Sequence, residues 1–188
     1  MKVWIVRHGE SETNKKGLWT GWLDVPLTEK GRADAASAGK LLSKITFDKI
    51  FSSDLQRAKN TAEIAIPGCK YEVSKMLREI NVGNIAGKPL AVARGSDDGL
   101  LTKDGYGCFG GESKVEFRKR VAEFMKILES ESYENVAVFS HAGFVRTFLD
   151  TVVGIEHNRK KIACENCAIA VFEYTNSDWR LYSWINLD

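Results

Sequence analysis

Two short apolar runs, Val3–Val6 and Val136–Phe139, each lead within two residues to a histidine and then to glycine. The first continues as Arg7-His8-Gly9-Glu10 and the second as Ser140-His141-Ala142-Gly143. Runs this short, rich in β-branched and aromatic residues, read as buried strands, and the glycines mark sharp exits from them. The chain holds 3 histidines, so two at strand ends restrict its architecture. If their strands are parallel neighbours, His8 and His141 lie side by side at the carboxyl edge of the sheet, where open α/β sheets hold ligands. Arg7 is a permanent cation able to fork onto phosphate. A neutral imidazole beside it is a nucleophile suited to phosphorus. Taken alone, Arg7 and His8 fit an incidental pair on a surface strand equally well.

The rest of the chain alternates strand and helix. Strands are predicted near 2–7, 48–52, 70–74, 135–140, 167–174 and 179–185. Thr28 caps a predicted helix running to about Ile45, in which Gly31 and Gly39 are weak points. Ser53-Asp54-Leu55-Gln56 and Ser113-Lys114-Val115-Glu116 read as capping boxes, each followed by apolar residues at helical spacing. A further helix spans about Phe144 to Val153 and stops at Gly154. Asn176-Ser177-Asp178 suits a hairpin between the last two strands. The expected fold is α/β: three layers, with a mostly parallel sheet and helices on both faces.

One stretch breaks the alternation. Eight of the 16 glycines fall between Gly83 and Gly111, with Pro89 and the turn signal Asp97-Asp98-Gly99 among them. We read a single domain over 1–188 with a glycine-rich insert at about 81–111, which serves as a lid or specificity element over the sheet edge. Within it Lys88, Arg94 and Lys103 could neutralise a second anionic group.

A chain of 188 residues suffices for one domain with a full core. Its formal net charge of +2 gives no reason to expect nucleic acid or an anionic membrane as partner. No apolar stretch approaches the ~20 residues of a membrane span. The strand beginning at Lys2 leaves no room for a signal peptide, so a cytoplasmic location is the expectation. Cys164-Glu165-Asn166-Cys167 has a metal-like spacing but lacks a second pair, although His157 lies nearby. Plain reduced cysteines, one of them in the core, are the simpler reading.

Two more residues complete a constellation. Arg57 falls in the first turn of a helix directly after a strand, where the helix dipole also favours anions. Glu79 ends a moderately apolar stretch just before the insert. With these in place, the chain resembles the histidine phosphatase superfamily, which is phosphoglycerate mutase-like. The resemblance rests on Arg7-His8-Gly9-Glu10-Ser11-x-x-Asn14, Asp24-Val25-Pro26-Leu27-Thr28-x-x-Gly31 and Ser52-Ser53-Asp54-Leu55-Gln56-Arg57-Ala58-x-x-Thr61-Ala62. Leu77-Arg78-Glu79, Gly111-Glu112-Ser113 and Ser140-His141-Ala142-Gly143 follow in the same order.

The resemblance implies roles. His8 is the nucleophile, with its other ring nitrogen kept protonated by an acceptor. Arg7, Arg57 and His141 clamp the phosphoryl oxygens, and Asn14 adds a neutral donor. His141 thereby counts among both the catalytic and the phosphate-binding residues. Glu79 is the general acid and then the base, with Asp97, Asp98 and Asp104 the nearest substitutes. Thr20 and Gly21 are expected to touch substrate. Arginines supply the positive charge, so neither metal nor cofactor is expected, and the partner is a small phosphate ester. Ile80-Asn81-Val82-Gly83 departs from the Arg-His-Tyr-Gly usual in phosphoglycerate mutases, whereas Thr20-Gly21-Trp22-Leu23-Asp24 looks mutase-like. Three readings follow: a phosphomonoesterase working through phosphohistidine, a phosphoglycerate mutase-type phosphoryl transferase, and a phosphate-binding module without turnover.

Overall fold

The structure, a computed structural model, describes residues 1–94, 104–154 and 162–187. Six strands form one sheet in the order β3-β2-β4-β1-β5-β6. In chain order they are β1 (Lys2–Arg7), β2 (Lys49–Ser52), β3 (Glu72–Val73), β4 (Asn135–Ser140), β5 (Ile169–Thr175) and β6 (Asp178–Ile185). The helices are α1 (Glu12–Lys15), α2 (Glu29–Leu42), α3 (Gln56–Ala65), α4 (Ala91–Arg94), α5 (Lys114–Glu129) and α6 (Ala142–Val153). The four strands β3, β2, β4 and β1 run parallel, and β5 and β6 close one edge antiparallel. The sheet is thus mixed. The antiparallel β1–β5 pairing was not anticipated, because composition does not distinguish strand directions. The closing hairpin was: Asn176 and Ser177 both take the left-handed backbone that a tight two-residue turn requires.

Alternation along the central strands explains the two cores. Val3 and Ile5 of β1, Val136 and Val138 of β4 and Phe172 of β5 face α5 and α6, among Phe117, Phe124, Leu128, Phe144 and Phe148. Val6, Ala137, Phe139, Ile169 and Val171 face the other way, toward Ala35, Ala38 and Leu42 of α2 and Ala62 and Ala65 of α3. Strands covered on both sides lose the polar positions of a half-exposed sheet, hence the continuous apolar runs.

Two helix assignments need correction. The helix capped by Thr28 ends at Leu42, before Ile45. Its glycines mark close approaches: a Cβ at Gly31 would lie 2.1 Å from the Glu10 carbonyl oxygen, and one at Gly39 2.5 Å from that of Ala65. Ser53 does not cap α3. The cap residue is Leu55, without a side-chain bond, and the Gln56 amide instead donates to Asp24 Oδ1 at 2.7 Å. The capping box at Ser113 and Glu116 is present as read. Within the insert, residues 87–90 pair with 17–19 through Trp19 N to Lys88 O (2.9 Å), Gly87 N to Trp19 O (2.7 Å) and Leu90 N to Gly17 O (3.0 Å).

Candidate active site

Register brings the two histidines together. Arg7 lies opposite Ser140 in the parallel β1–β4 pair, and the His8 amide donates to the Ser140 carbonyl at 2.9 Å. The imidazole centroids are consequently 5.1 Å apart, at the carboxyl edge of the sheet. A cavity of about 430 Å³ opens there, lined by Arg7, His8, Asn14, Arg57, Glu79 and Arg146 on its polar side. Leu18, Trp19, Ile80, Val82, Leu90 and Tyr106 form the apolar side. Three of these apolar residues, Val82, Leu90 and Tyr106, come from the glycine-rich insert.

The contacts of His8 assign its tautomer. Arg57 Nε, which can only donate, lies 3.2 Å from His8 Nε2. Nδ1 lies 2.7 Å from the Gly9 carbonyl oxygen, which can only accept. The ring therefore carries its proton on Nδ1 and its lone pair on Nε2. Burial, then the Arg57 and Arg7 cations, hold His8 well below the ordinary histidine range, so the ring is neutral at neutral pH.

Arg57 is fully buried, and its three hydrogen bonds fix it: Nε to His8 and the two terminal nitrogens to the carbonyls of Leu23 and Gly21, each at 2.8 Å. Burial lowers its pKa to about 10, which leaves it charged at neutral pH. Arg7 donates to the Cys164 carbonyl, and its Nε is buried without a partner among the described residues. Asn14, third residue of α1, accepts at Oδ1 from the Ser11 amide (3.2 Å), the Ser11 hydroxyl (3.0 Å) and Asn166 Nδ2 (3.4 Å). Its own NH₂ is the donor left for the cavity.

His141, fully buried, is the N-cap residue of α6. Its Nε2 is 2.9 Å from the Ser53 hydroxyl, and Nδ1 is buried with no partner among the described residues. Burial, followed by Arg57, depresses its pKa well below the ordinary value. Its ring packs edge-on against that of His8, and it is not among the residues that line the cavity. Glu79 accepts from the Ile80 amide at 2.8 Å and from the Gly143 amide, at the start of α6, at 3.0 Å.

Thr20 and Gly21 line the cavity, and Gly21 has the additional task of holding Arg57. Lys88 and Asp104 are exposed and do not line it. Asp97, Asp98, Lys103 and His157 lie outside the described residues, as does the side chain of Arg94. Cys164 and Cys167 are both buried free thiols, one more than expected in the core.

Sequence reasoning missed four residues here. Ser53 reads as a helix cap in the sequence but instead meets His141 Nε2, at the serine-rich junction after β2. Asn166 was overlooked between two cysteines: its Nδ2 donates to the His8 carbonyl at 3.0 Å. Glu165 from the same turn lines the cavity, as does Arg146, one turn into α6 from Ala142 and Gly143. No short motif singled out Arg146.

The chain also resembles known proteins along its whole length. It is 29% identical to "Probable phosphoglycerate mutase GpmB" of Salmonella paratyphi A over 98% of this chain and 90% of the relative. A solved phosphoglycerate mutase from Thermus thermophilus is 31% identical with a TM-score of 0.78, both chains being covered completely (100%). A mycobacterial glucosyl-3-phosphoglycerate phosphatase is 26% identical with a TM-score of 0.84, covering 97% of this chain and 98% of that one. The family signature of the histidine phosphatase superfamily (branch 1) matches residues 3–187, and the chain belongs to that superfamily.

Proposed function

We propose that this protein is a phosphomonoesterase that transfers the phosphoryl group of a small metabolite to His8 and then to water. The observation that supports this best is the His8 tautomer: Nδ1 donates to the Gly9 carbonyl, and the basic nitrogen Nε2 accepts from Arg57 Nε, a bond that Arg57 exchanges for a phosphoryl oxygen before Nε2 attacks. In the first step Nε2 attacks phosphorus and the P–O bond to the leaving group breaks. Glu79 delivers the proton that the departing oxygen takes up. In the second step water attacks phosphorus, loses a proton to the Glu79 carboxylate, and the P–N bond breaks. Arg7 and Arg57 carry the charge that a metal would otherwise supply. His141 does not line the cavity; its ring packs edge-on against His8 and is held at Nε2 by the Ser53 hydroxyl, so it supports the nucleophile from beside the pocket.

The same cavity suggests what else the substrate carries. The Arg146 guanidinium has no hydrogen bond or ion pair among the described residues, and its Nε is buried. A second acidic group on the substrate would provide its partner, the role assigned in the sequence to Lys88, Arg94 or Lys103. The apolar wall contributed by the insert would hold the remainder.

Phosphoryl transfer of the mutase type is the second reading, favoured by the mutase names of relatives. The cavity wall argues for hydrolysis, because the positions after Glu79 are Ile80 and Val82, which offer no polar group to retain an intermediate. A panel of phosphorylated metabolites assayed for phosphate release, with and without chelator, tests the proposal. Release independent of chelator and of any bisphosphate cofactor is expected. Arg146→Gln should raise KM for acids among the substrates by about tenfold, the loss of one charged hydrogen bond. Conversion of 3-phosphoglycerate to 2-phosphoglycerate much faster than phosphate release would establish the mutase instead.

A further inference from the structure

Residues 76–79 lead to Glu79 through a 3-10 turn, Lys75–Leu77, and then extended backbone. Such a segment has no ladder or helix to occupy its carbonyl groups, and buried carbonyls need partners. Here four consecutive carbonyls are taken by side chains. Leu77 O accepts from the Ser140 hydroxyl at 2.7 Å. Met76 O and Arg78 O accept from one terminal nitrogen of Arg120, both at 2.8 Å, and Glu79 O from the other at 3.2 Å. Trp22 Nε1 also donates to Glu79 O, at 2.7 Å.

The remaining donors of Arg120 go to Glu112, Nε to Oε1 at 2.9 Å and the second terminal nitrogen to Oε2 at 2.7 Å. A guanidinium has five N–H groups in a rigid plane, and all five are engaged. Glu112 is itself fastened to the same segment: Oε2 accepts from the Asn81 amide, and the Glu112 amide donates to Asn81 O, both at 2.8 Å. The pair therefore grips the chain from Met76 to Asn81 on either side of Glu79 and joins the two ends of the insert. The capping box at Ser113 starts α5 so that Arg120, seven residues on, reaches these carbonyls.

We propose that Arg120, held by Glu112, is a positioning residue that fixes the main chain presenting the Glu79 carboxylate. Arg120 does not line the cavity and acts through Glu79. Lysine could replace it only in part, since three donors on a flexible stem cannot span three carbonyls and a carboxylate at once. The inference rests on reading Glu79 as the proton donor.

A double-mutant cycle on the full-length protein tests it, using burst-phase phosphorylation of the enzyme by an alkyl phosphate and by 4-nitrophenyl phosphate. Arg120→Gln should slow phosphorylation by the alkyl phosphate about 10–100-fold, the scale of a displaced catalytic group. KM should stay within about twofold. The nitrophenyl ester, whose leaving group needs no proton, should lose little. Arg120→Lys should recover part of the rate, and Glu79→Gln combined with Arg120→Gln should be no slower than Glu79→Gln alone. Multiplicative losses in the double variant, or equal losses on both esters, would overturn the positioning role. If Glu79→Gln alone has no effect that depends on the leaving group, the acid assignment fails first and the inference falls with it. Should Arg120→Gln not fold, Arg120→Lys and Glu112→Gln enter the same cycle with the same expected non-additivity.

Discussion

A Cβ placed on Gly143 would lie 1.9 Å from Glu79 Oε1, so the glycine at the second position of α6 leaves room for the carboxylate on the helix end. Alanine is the better helix former by about 1 kcal/mol, and no left-handed backbone is required there. Gly143→Ala should therefore leave the melting temperature within a few degrees of wild type, a few degrees being about 1 kcal/mol for a chain of this size. Its kcat on alkyl phosphates should nonetheless fall by about tenfold or more. Unchanged kcat would mean that the Glu79 position is not used. The two histidines make a second prediction. Their folded pKa values are depressed, first by burial and then by Arg57, and the unfolded value is about 6.5. Below about pH 6.5 the unfolded chain binds protons that the folded one refuses, so stability is full above that pH and declines as pH falls. The decline is up to about 1.4 kcal/mol per pH unit for each ring. Melting temperatures measured between about pH 7.5 and pH 5 should fall accordingly, and less steeply in His141→Asn. A flat profile would mean that the rings are not held neutral. Arg7, His8, Arg57 and His141 could be named from the sequence because each sits at or beside an element end, and Glu79 because it closes the apolar stretch just before the glycine-rich insert. Arg146, Asn166 and Ser53 could not, because their importance comes from tertiary neighbours rather than from spacing.

Among the elements, α3 shows how the site and the fold share parts. It carries Arg57 in its first turn, yet its own cap supplies no side-chain bond, and the Gln56 amide turns instead to Asp24, 32 residues earlier. Asp24 belongs to the segment whose Gly21 and Leu23 carbonyls hold Arg57, and whose Trp22 holds the Glu79 carbonyl. Asp24→Ala should cost about 1 kcal/mol, as loss of a helix cap does, or about 2–4 °C in melting temperature. It should also raise KM for phosphate esters, because the loop that orients Arg57 is released. A stability loss without any change in KM would separate the two roles. The strand positions and α5 followed from apolar period and capping chemistry. The cap of α3 did not, because a capping side chain borrowed from a remote loop leaves no local pattern.

Taken whole, the molecule collects residues from β1, α3, the segment after β3 and the β4–α6 junction at one sheet edge, and the parallel β1–β4 pairing makes that convergence possible. The α/β class and the helices on both faces could be read from the alternation of elements. The direction of β5 could not, nor could the way the insert folds its start onto residues 17–19, since glycine-rich sequence encodes few local preferences. The chemistry proposed for the assembled edge requires a covalent phosphohistidine. The most direct test mixes the protein with ³²P-labelled substrate, quenches within the first turnover and locates the label. The label should be lost in acid, persist in base, map to His8, and be absent from His8→Asn. A burst of product without labelled protein, or undiminished turnover by His8→Asn, would contradict a nucleophilic His8.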